Sequence, residues 1–162
     1  MKTIAATLIL LLSPAVAAAD SLCSAQEMVV YSCRAGAKLI SVCASKDISS
    51  TSGYVQYRFG RKEALELVLP KTREHSVFNP KSGTLMYAGG GGAYLRFSNG
   101  QVSYVVYTAI GRGFGTADGV AVEKAGKLVA NLKCVGTSTS EMGPDFFNKA
   151  GLPEDDEEFD LP

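Results

Sequence analysis

The chain has a single histidine, His75, and no tryptophan. A Ser/His/Asp triad would have to use His75, whose neighbours are Glu74 and Ser76, and no Gly-x-Ser-x-Gly elbow presents a nucleophile. The four cysteines include no C-x2-C pair, so a tetrahedral zinc site lacks its usual spacing. Gly89 to Gly92 form a glycine run, but it leads into a strand pattern and no Gly-Lys-Ser/Thr follows. Residues 111–115, GRGFG, lie between two strand patterns, so no helix N-terminus is available to hold a pyrophosphate. Glu63 and Glu66 have an odd offset within one strand pattern. They therefore point to opposite faces and do not make a paired-carboxylate site. These absences point away from an enzyme. No catalytic residue, cofactor or metal is assigned.

Only one long apolar run occurs, at residues 4–12, and it is too short to span a bilayer. Lys2 precedes it, and Ala17-Ala18-Ala19 fits a cleavage site before Asp20. Residues 1–19 thus read as a signal peptide, and the mature chain is expected in a periplasm or secreted, with no membrane span. A lipobox needs a small residue before its cysteine, and Leu22 precedes Cys23.

The formal charge is zero, but it is unevenly spread. Fifteen of sixteen Lys and Arg and ten of sixteen Asp and Glu lie in 20–153, while residues 154–160, EDDEEFD, carry six carboxylates. Such a block repels itself, and 154–162 is expected to be a disordered acidic tail on a single β domain spanning 20–153.

That domain reads as all-β, about eight antiparallel strands as four hairpins with a short helical turn after them. The hairpins are 27–33 with 38–43, 54–59 with 63–69, 93–98 with 101–108, and 119–123 with 127–133. Their turns are expected at Ala35-Gly36, Gly60-Arg61, Asn99-Gly100 (as a type I′ turn) and Ala125-Gly126. Each has period-two apolar alternation. The stretches 54–59, YVQYRF, and 93–97, AYLRF, look alike, which suggests a doubled four-strand unit, although strand composition alone produces such matches. The connection 70–92 is read as a long, irregular loop with a short strand at 84–87, and loops of that length inside small domains are functional or mobile. After Cys134 the polar 136–140 reads as a linker, and 144–150, PDFFNKA, as one or two helical turns tacked down by Phe146 and Phe147. Periodicity leaves a barrel and a sandwich equally open.

Four cysteines in an exported chain imply two disulfides among Cys23, Cys33, Cys43 and Cys134. A tight turn at Ala35-Gly36 puts Cys33 opposite Lys38 and Cys43 opposite Met28, too far apart to bond. Cys23–Cys43 with Cys33–Cys134 is the favoured pairing, and Cys23–Cys33 with Cys43–Cys134 stays open.

Tyr54, Tyr57, Arg58, Arg61 and Lys62 interleave rings and cations on one hairpin, a pattern that stacks and neutralises single-stranded nucleic acid or an acidic glycan. Export argues against nucleic acid as the partner. Tyr57, Arg58 and Arg61 remain candidate binding residues beside the plainer reading of an ordinary basic turn.

The runs Tyr31-Ser32-Cys33, Lys38-x-Ile40-Ser41-Val42-Cys43 and Tyr57-Arg58-Phe59-Gly60, with the late Cys134, resemble a family of small exported proteobacterial proteins of unknown function. That likeness spans most of the mature chain and implies a compartment without a chemistry. A second, weaker resemblance is to the periplasmic inhibitors of C-type lysozyme, which are small β-barrels. It rests on Tyr31-Ser32-Cys33-Arg34-Ala35-Gly36, on Ser82-Gly83-Thr84-Leu85-Met86-Tyr87 and on Phe97-Ser98-Asn99-Gly100. The serine-to-tyrosine spacing is one residue longer than in those inhibitors, and Asn99 stands where they have lysine. This resemblance implies a binding role for Ser82, Gly83 and Tyr87 and a lytic enzyme as partner. The resulting expectation is an exported, non-enzymatic binding protein, an inhibitor or immunity protein, that uses the 70–92 connection and the turns beside it. A structural cell-envelope protein and a hydrolase are the alternatives.

Overall fold

The computed structural model describes residues 20–75 and 80–162. The signal-peptide reading falls on residues 1–19, outside them. Ten antiparallel strands form two five-stranded sheets. β1 (Glu27–Ala35), β2 (Lys38–Ser45), β3 (Val55–Arg61) and β4 (Ala64–Leu69) meander through the first sheet. β5 (Lys81–Tyr87), β6 (Gly90–Asn99), β7 (Val102–Gly111), β8 (Gly115–Lys124) and β9 (Lys127–Lys133) make up the second. β10 (Val135–Ser140) then crosses back and completes the first sheet beside β1, in the order β10-β1-β2-β3-β4.

The sheets stack face to face as a sandwich, and no closed barrel forms. Val30, Ile40, Val42 and Tyr57 of one sheet share a core with Leu95, Phe97, Val106 and Val120 of the other. Alternation along each strand puts these side chains on the facing surfaces. The helix α1 (Pro144–Ala150) starts at a proline, ends at a left-handed Gly151, and packs Phe146, Phe147 and Ala150 into the same core, as its sequence suggests.

Two strands exceed the eight expected. β5 is a full edge strand where a long loop with a short strand is the sequence reading, and Gly90, Gly91 and Gly92 belong to β6 instead of a mobile loop. β10 carries almost no apolar residue, so periodicity does not reveal it. It is held by pairing with β1, Tyr31 opposite Ser140 and Arg34 opposite Val135, and by the cysteine beside it. The two look-alike stretches occupy β3, third in its meander, and β6, which leads the run β6 to β9. Their positions do not correspond in a doubled unit.

The disulfides are Cys23–Cys43 and Cys33–Cys134, with Cα separations of 5.4 and 5.7 Å. The register beneath them differs from the expected one. Ala35 pairs with Lys38, so the loop is Gly36-Ala37 and Cys33 faces Ile40. A bulge between Val29 and Tyr31 then brings Cys43 opposite Val29. Cys33 and Cys43 still sit apart, so the argument against joining them survives. The third hairpin shifts likewise. Asn99 pairs with Val102, and Gly100, at φ 62°, takes the first loop position, where a II′ turn wants glycine. In the second hairpin Arg61 pairs with Ala64 after a bulge at Gly60, and the fourth turns at Ala125-Gly126 as expected.

The acidic tail is docked, which corrects the expectation of disorder. Phe159 is only 7% exposed, and with Leu161 it lies on the outer face of the second sheet against Tyr94, Val105, Tyr107 and Ala121. The charge count that suggested disorder misses this one aromatic anchor and the cation beneath it. No helix among the described residues is long and apolar enough to cross a membrane. Two disulfides fit an oxidising compartment.

Candidate functional site

Ser82, Gly83 and Tyr87 do not form an open loop. All three lie in β5, the edge strand of the second sheet. Ser82 donates its backbone N–H to the Pro153 carbonyl at 2.9 Å, and its own carbonyl accepts from the Asp155 N–H at 2.8 Å. The chain's own tail thus pairs in parallel with the start of this edge. Gly83 is required there, because a Cβ would run into the ring of Tyr94, its partner across the ladder. Tyr87 lies at the far end of β5, its ring edge-on to Phe114 with centroids 5.3 Å apart.

Tyr57, Arg58 and Arg61 are not brought together either. Tyr57 points inward and packs on Phe97 and Tyr104, each at 5.7 Å between centroids. Arg58, one residue on, points outward beneath residues 20–24. There it donates to Glu27 at 2.5 and 2.8 Å, to the Leu22 carbonyl at 2.9 Å and to Gln56 at 2.7 Å. Burial alone would raise the Glu27 carboxyl. Hydrogen bonds from Arg58, Tyr54 and the Ser24 N–H outweigh it and bring its pKa down to about 2. Arg61 is exposed at the hairpin end, and Lys62 pairs with Asp20 at 2.8 Å. A stacking platform needs rings and cations on one accessible face, and alternation has put the ring and the first cation on opposite sides.

Arg96 is the functional-looking residue that sequence reasoning passes over. It is 2% exposed on the outer face of the second sheet. Its Nε donates to Asp155 at 2.6 Å, and its Nη1 meets Glu123 and, at 3.5 Å, Glu157. Lys81 pairs with Asp156 at the rim. The only signal was the Tyr-x-Arg-x-Ser alternation of residues 94–98, which places Arg96 on the Tyr94 face, away from Leu95 and Phe97. These contacts make the tail a strap: an ion pair at Asp155, a phenyl ring at Phe159, and two backbone hydrogen bonds at the edge.

The surface that remains free is the glycine-rich end of the second sheet. Met86 pairs with Gly91 and Gly91 with Ile110, so the two large side chains share one row with a glycine between them. Gly91 alternates in phase with Ala93, Leu95 and Phe97, so this row continues the inner face of the sheet. It runs past the cover of the first sheet, and Met86 is 90% and Ile110 57% exposed. On the opposite side of the same end, a cavity of about 600 Å³ opens between Tyr87, Tyr107, Phe114 and the tail. Among the described residues no group of three or more His, Cys, Asp and Glu is placed to hold a metal ion. Comparison of the chain with protein-family models, curated proteins and solved structures finds no match.

Proposed function

We propose that the chain is an exported, non-enzymatic binding protein that docks a protein partner through the glycine-rich end of its second sheet. The observation that supports this reading is the row Met86–Gly91–Ile110, two large apolar side chains left in solvent side by side on a rigid sheet. Scattered apolar residues are ordinary on a protein surface, whereas a paired row beyond the core is the kind of feature that marks a contact site. The partner class is a lytic enzyme, taken from the resemblance to the lysozyme inhibitors, and the surface is carried by β5 to β7 instead of a free Ser-Gly loop.

The test is titration of a C-type lysozyme with the folded chain, alongside Met86→Asp and Ile110→Asp. Both side chains are exposed, so the variants should melt within about 0.5 kcal/mol of the parent. The expected result is stoichiometric loss of lytic activity with the parent and at least tenfold weaker inhibition with either variant. Full lytic activity at tenfold excess of the parent removes the inhibitor reading. Inhibition unchanged by both variants removes this surface.

A further inference from the structure

Beside residues 21–24, the outer face of the first sheet holds another cavity of about 600 Å³, on the other sheet from the Met86 row. Register sets its floor. Arg58 pairs with Val68 and, past a bulge at Glu66, Gly60 pairs with Leu65, so both apolar side chains share the outward face with Gln56 and Arg58. Leu65 is 47% exposed. One wall is the disulfide-tied segment 21–24, and the other is the segment 70–73 that follows β4. Gln56, itself buried, accepts from Arg58 at 2.7 Å and donates to the Pro70 carbonyl at 2.8 Å. The arginine that holds the first wall through the Leu22 carbonyl therefore fixes the second wall too. Arg73 lies over the Tyr54 ring at 5.6 Å, and the Tyr54 hydroxyl donates to Glu27 at 2.6 Å.

The lining carries four cations, Arg58, Lys62, Lys71 and Arg73, and no carboxylate. Arg58 is matched by Glu27, and Lys62 shares Asp20 with Arg34. Lys71 and Arg73 are exposed and make no ion pair among the described residues. Lys71 stands at the edge shared with a neighbouring cavity at the end of the sandwich, which leaves Arg73 as the cation fixed in this one. The acidic tail does not neutralise them, since residues 155–160 lie with Tyr94 on the other sheet. Arg73 stands over Tyr54, Val68 beside Arg58 and Leu65 beside Gly60, so cations and apolar floor follow one another along β3 over about 20 Å.

We propose that this groove binds an anionic amphiphile, its phosphate or carboxylate head on Arg73 and Lys71 and its hydrocarbon chain along Val68 and Leu65. A free alkyl phosphate and the headgroup of an anionic lipid present the same chemistry, and the two are separated by experiment. A purely ionic ligand would leave Leu65 in water, and a cation would meet no carboxylate in the lining.

The test is a nuclear magnetic resonance titration of the folded chain, read at the amides of Leu65, Val68, Lys71 and Arg73. The probes are hexyl phosphate, inorganic phosphate, hexylammonium and a hexaglutamate peptide. Hexyl phosphate should give saturable shifts and bind at least tenfold tighter than inorganic phosphate, because it alone covers the floor. Arg73→Glu combined with Lys71→Glu should weaken it at least tenfold. Leu65→Ser should weaken hexyl phosphate severalfold and leave inorganic phosphate unchanged. All three side chains are exposed, so the variants should melt within about 2 °C of the parent. Sedimentation with phosphatidylglycerol vesicles and not with phosphatidylcholine vesicles assigns a bilayer headgroup, and hexyl phosphate binding without sedimentation assigns a free amphiphile. No saturable shift at about 10 mM hexyl phosphate would overturn the proposal. So would equal binding of hexylammonium, shifts that persist in the double variant, or equal affinity for inorganic and hexyl phosphate. Tighter binding of hexaglutamate than of hexyl phosphate would assign an acidic peptide instead and overturn it as well.

Discussion

Replacing Phe159 by alanine tests whether the acidic tail belongs to the folded body. The ring sits 5.0 Å from Tyr94 and 5.9 Å from Tyr107 between centroids and is 7% exposed. In a closed core, Phe→Ala costs about 3–5 kcal/mol. Here the cost has a ceiling, because a weakened strap can detach, and the loss then stops at what docking contributes. Transfer of one phenyl side chain from water sets that contribution at about 2–3 kcal/mol. For a domain of this size the melting temperature should fall by about 5–10 °C. Deletion of 154–162 should cost the same to within about 1 kcal/mol, since Phe159→Ala already releases the strap. Asp155→Asn should fall in the same range, because it leaves the buried Arg96 with one strong carboxylate partner, Glu123. Scanning calorimetry of the four proteins decides it. Shifts under 1 °C for both Phe159→Ala and the deletion would show that the tail contributes nothing. A deletion far costlier than Phe159→Ala would show that the anchor lies elsewhere in the tail.

Peptide mapping without reduction should recover Cys23–Cys43 and Cys33–Cys134. Losing the second bond through Cys33→Ser with Cys134→Ser should cost about 4–5 kcal/mol, because it closes a separation of 101 residues. A Cys33–Cys43 peptide would refute the register. The Glu27 carboxyl falls from its ordinary 4.5 to about 2 on folding. The stability it contributes, on the order of 3 kcal/mol, is full above pH 4.5 and is lost as pH falls from there through about 2. Glu27→Gln should therefore flatten the urea midpoint between pH 5 and 2, and equal slopes in the two proteins would refute the assignment. Amide exchange should be faster across 153–161, which covers Arg96, than across 20–24, which covers Arg58, and the reverse order would show that the acidic strap is the more tightly held of the two.

The parts of the fold that were legible in the sequence are those where one face is buried and the other wet. Residues 101–108 alternate cleanly, and β7 follows them almost residue for residue. The disulfide pairing was legible because hairpin geometry excludes Cys33–Cys43 across a register error of two residues. β10 was not, because 135–140 is held by backbone pairing and a covalent neighbour, neither of which leaves an apolar signature. The tail misled for a related reason. Composition averages over residues 154–162, but docking depends on Asp155 and Phe159 at two particular places. The candidate site fared worst. Ser82 and Gly83 were placed by motif likeness in a loop, and they lie in an edge strand already paired with the tail. Met86 and Ile110 could not be picked out, since their exposure arises only when strands of unequal length are laid side by side.

Arg58 and Arg96 show why both outer faces of this sandwich are closed. Each is a buried guanidinium on the outer surface of a sheet, each meets a carboxylate, and each is roofed by a segment from one end of the described chain. Burying such a cation costs several kcal/mol unless its donors are all met. At Arg58 the two Nη groups are met by two oxygens of Glu27, the Leu22 carbonyl and Gln56, and Cys23–Cys43 ties the roof to β2. At Arg96 the Nη2 group has no partner among the described residues, three carboxylates crowd the other donors, and no covalent bond holds the strap. Detachment of the second roof also relieves repulsion among six tail carboxylates, of which Asp155, Asp156 and Glu157 share Arg96 and Lys81 as their cations. The same device therefore has unequal strength at the two ends, and the acidic strap is the element whose opening costs least. Its release would bare Tyr94, Tyr107 and Arg96 on the outer face of the second sheet.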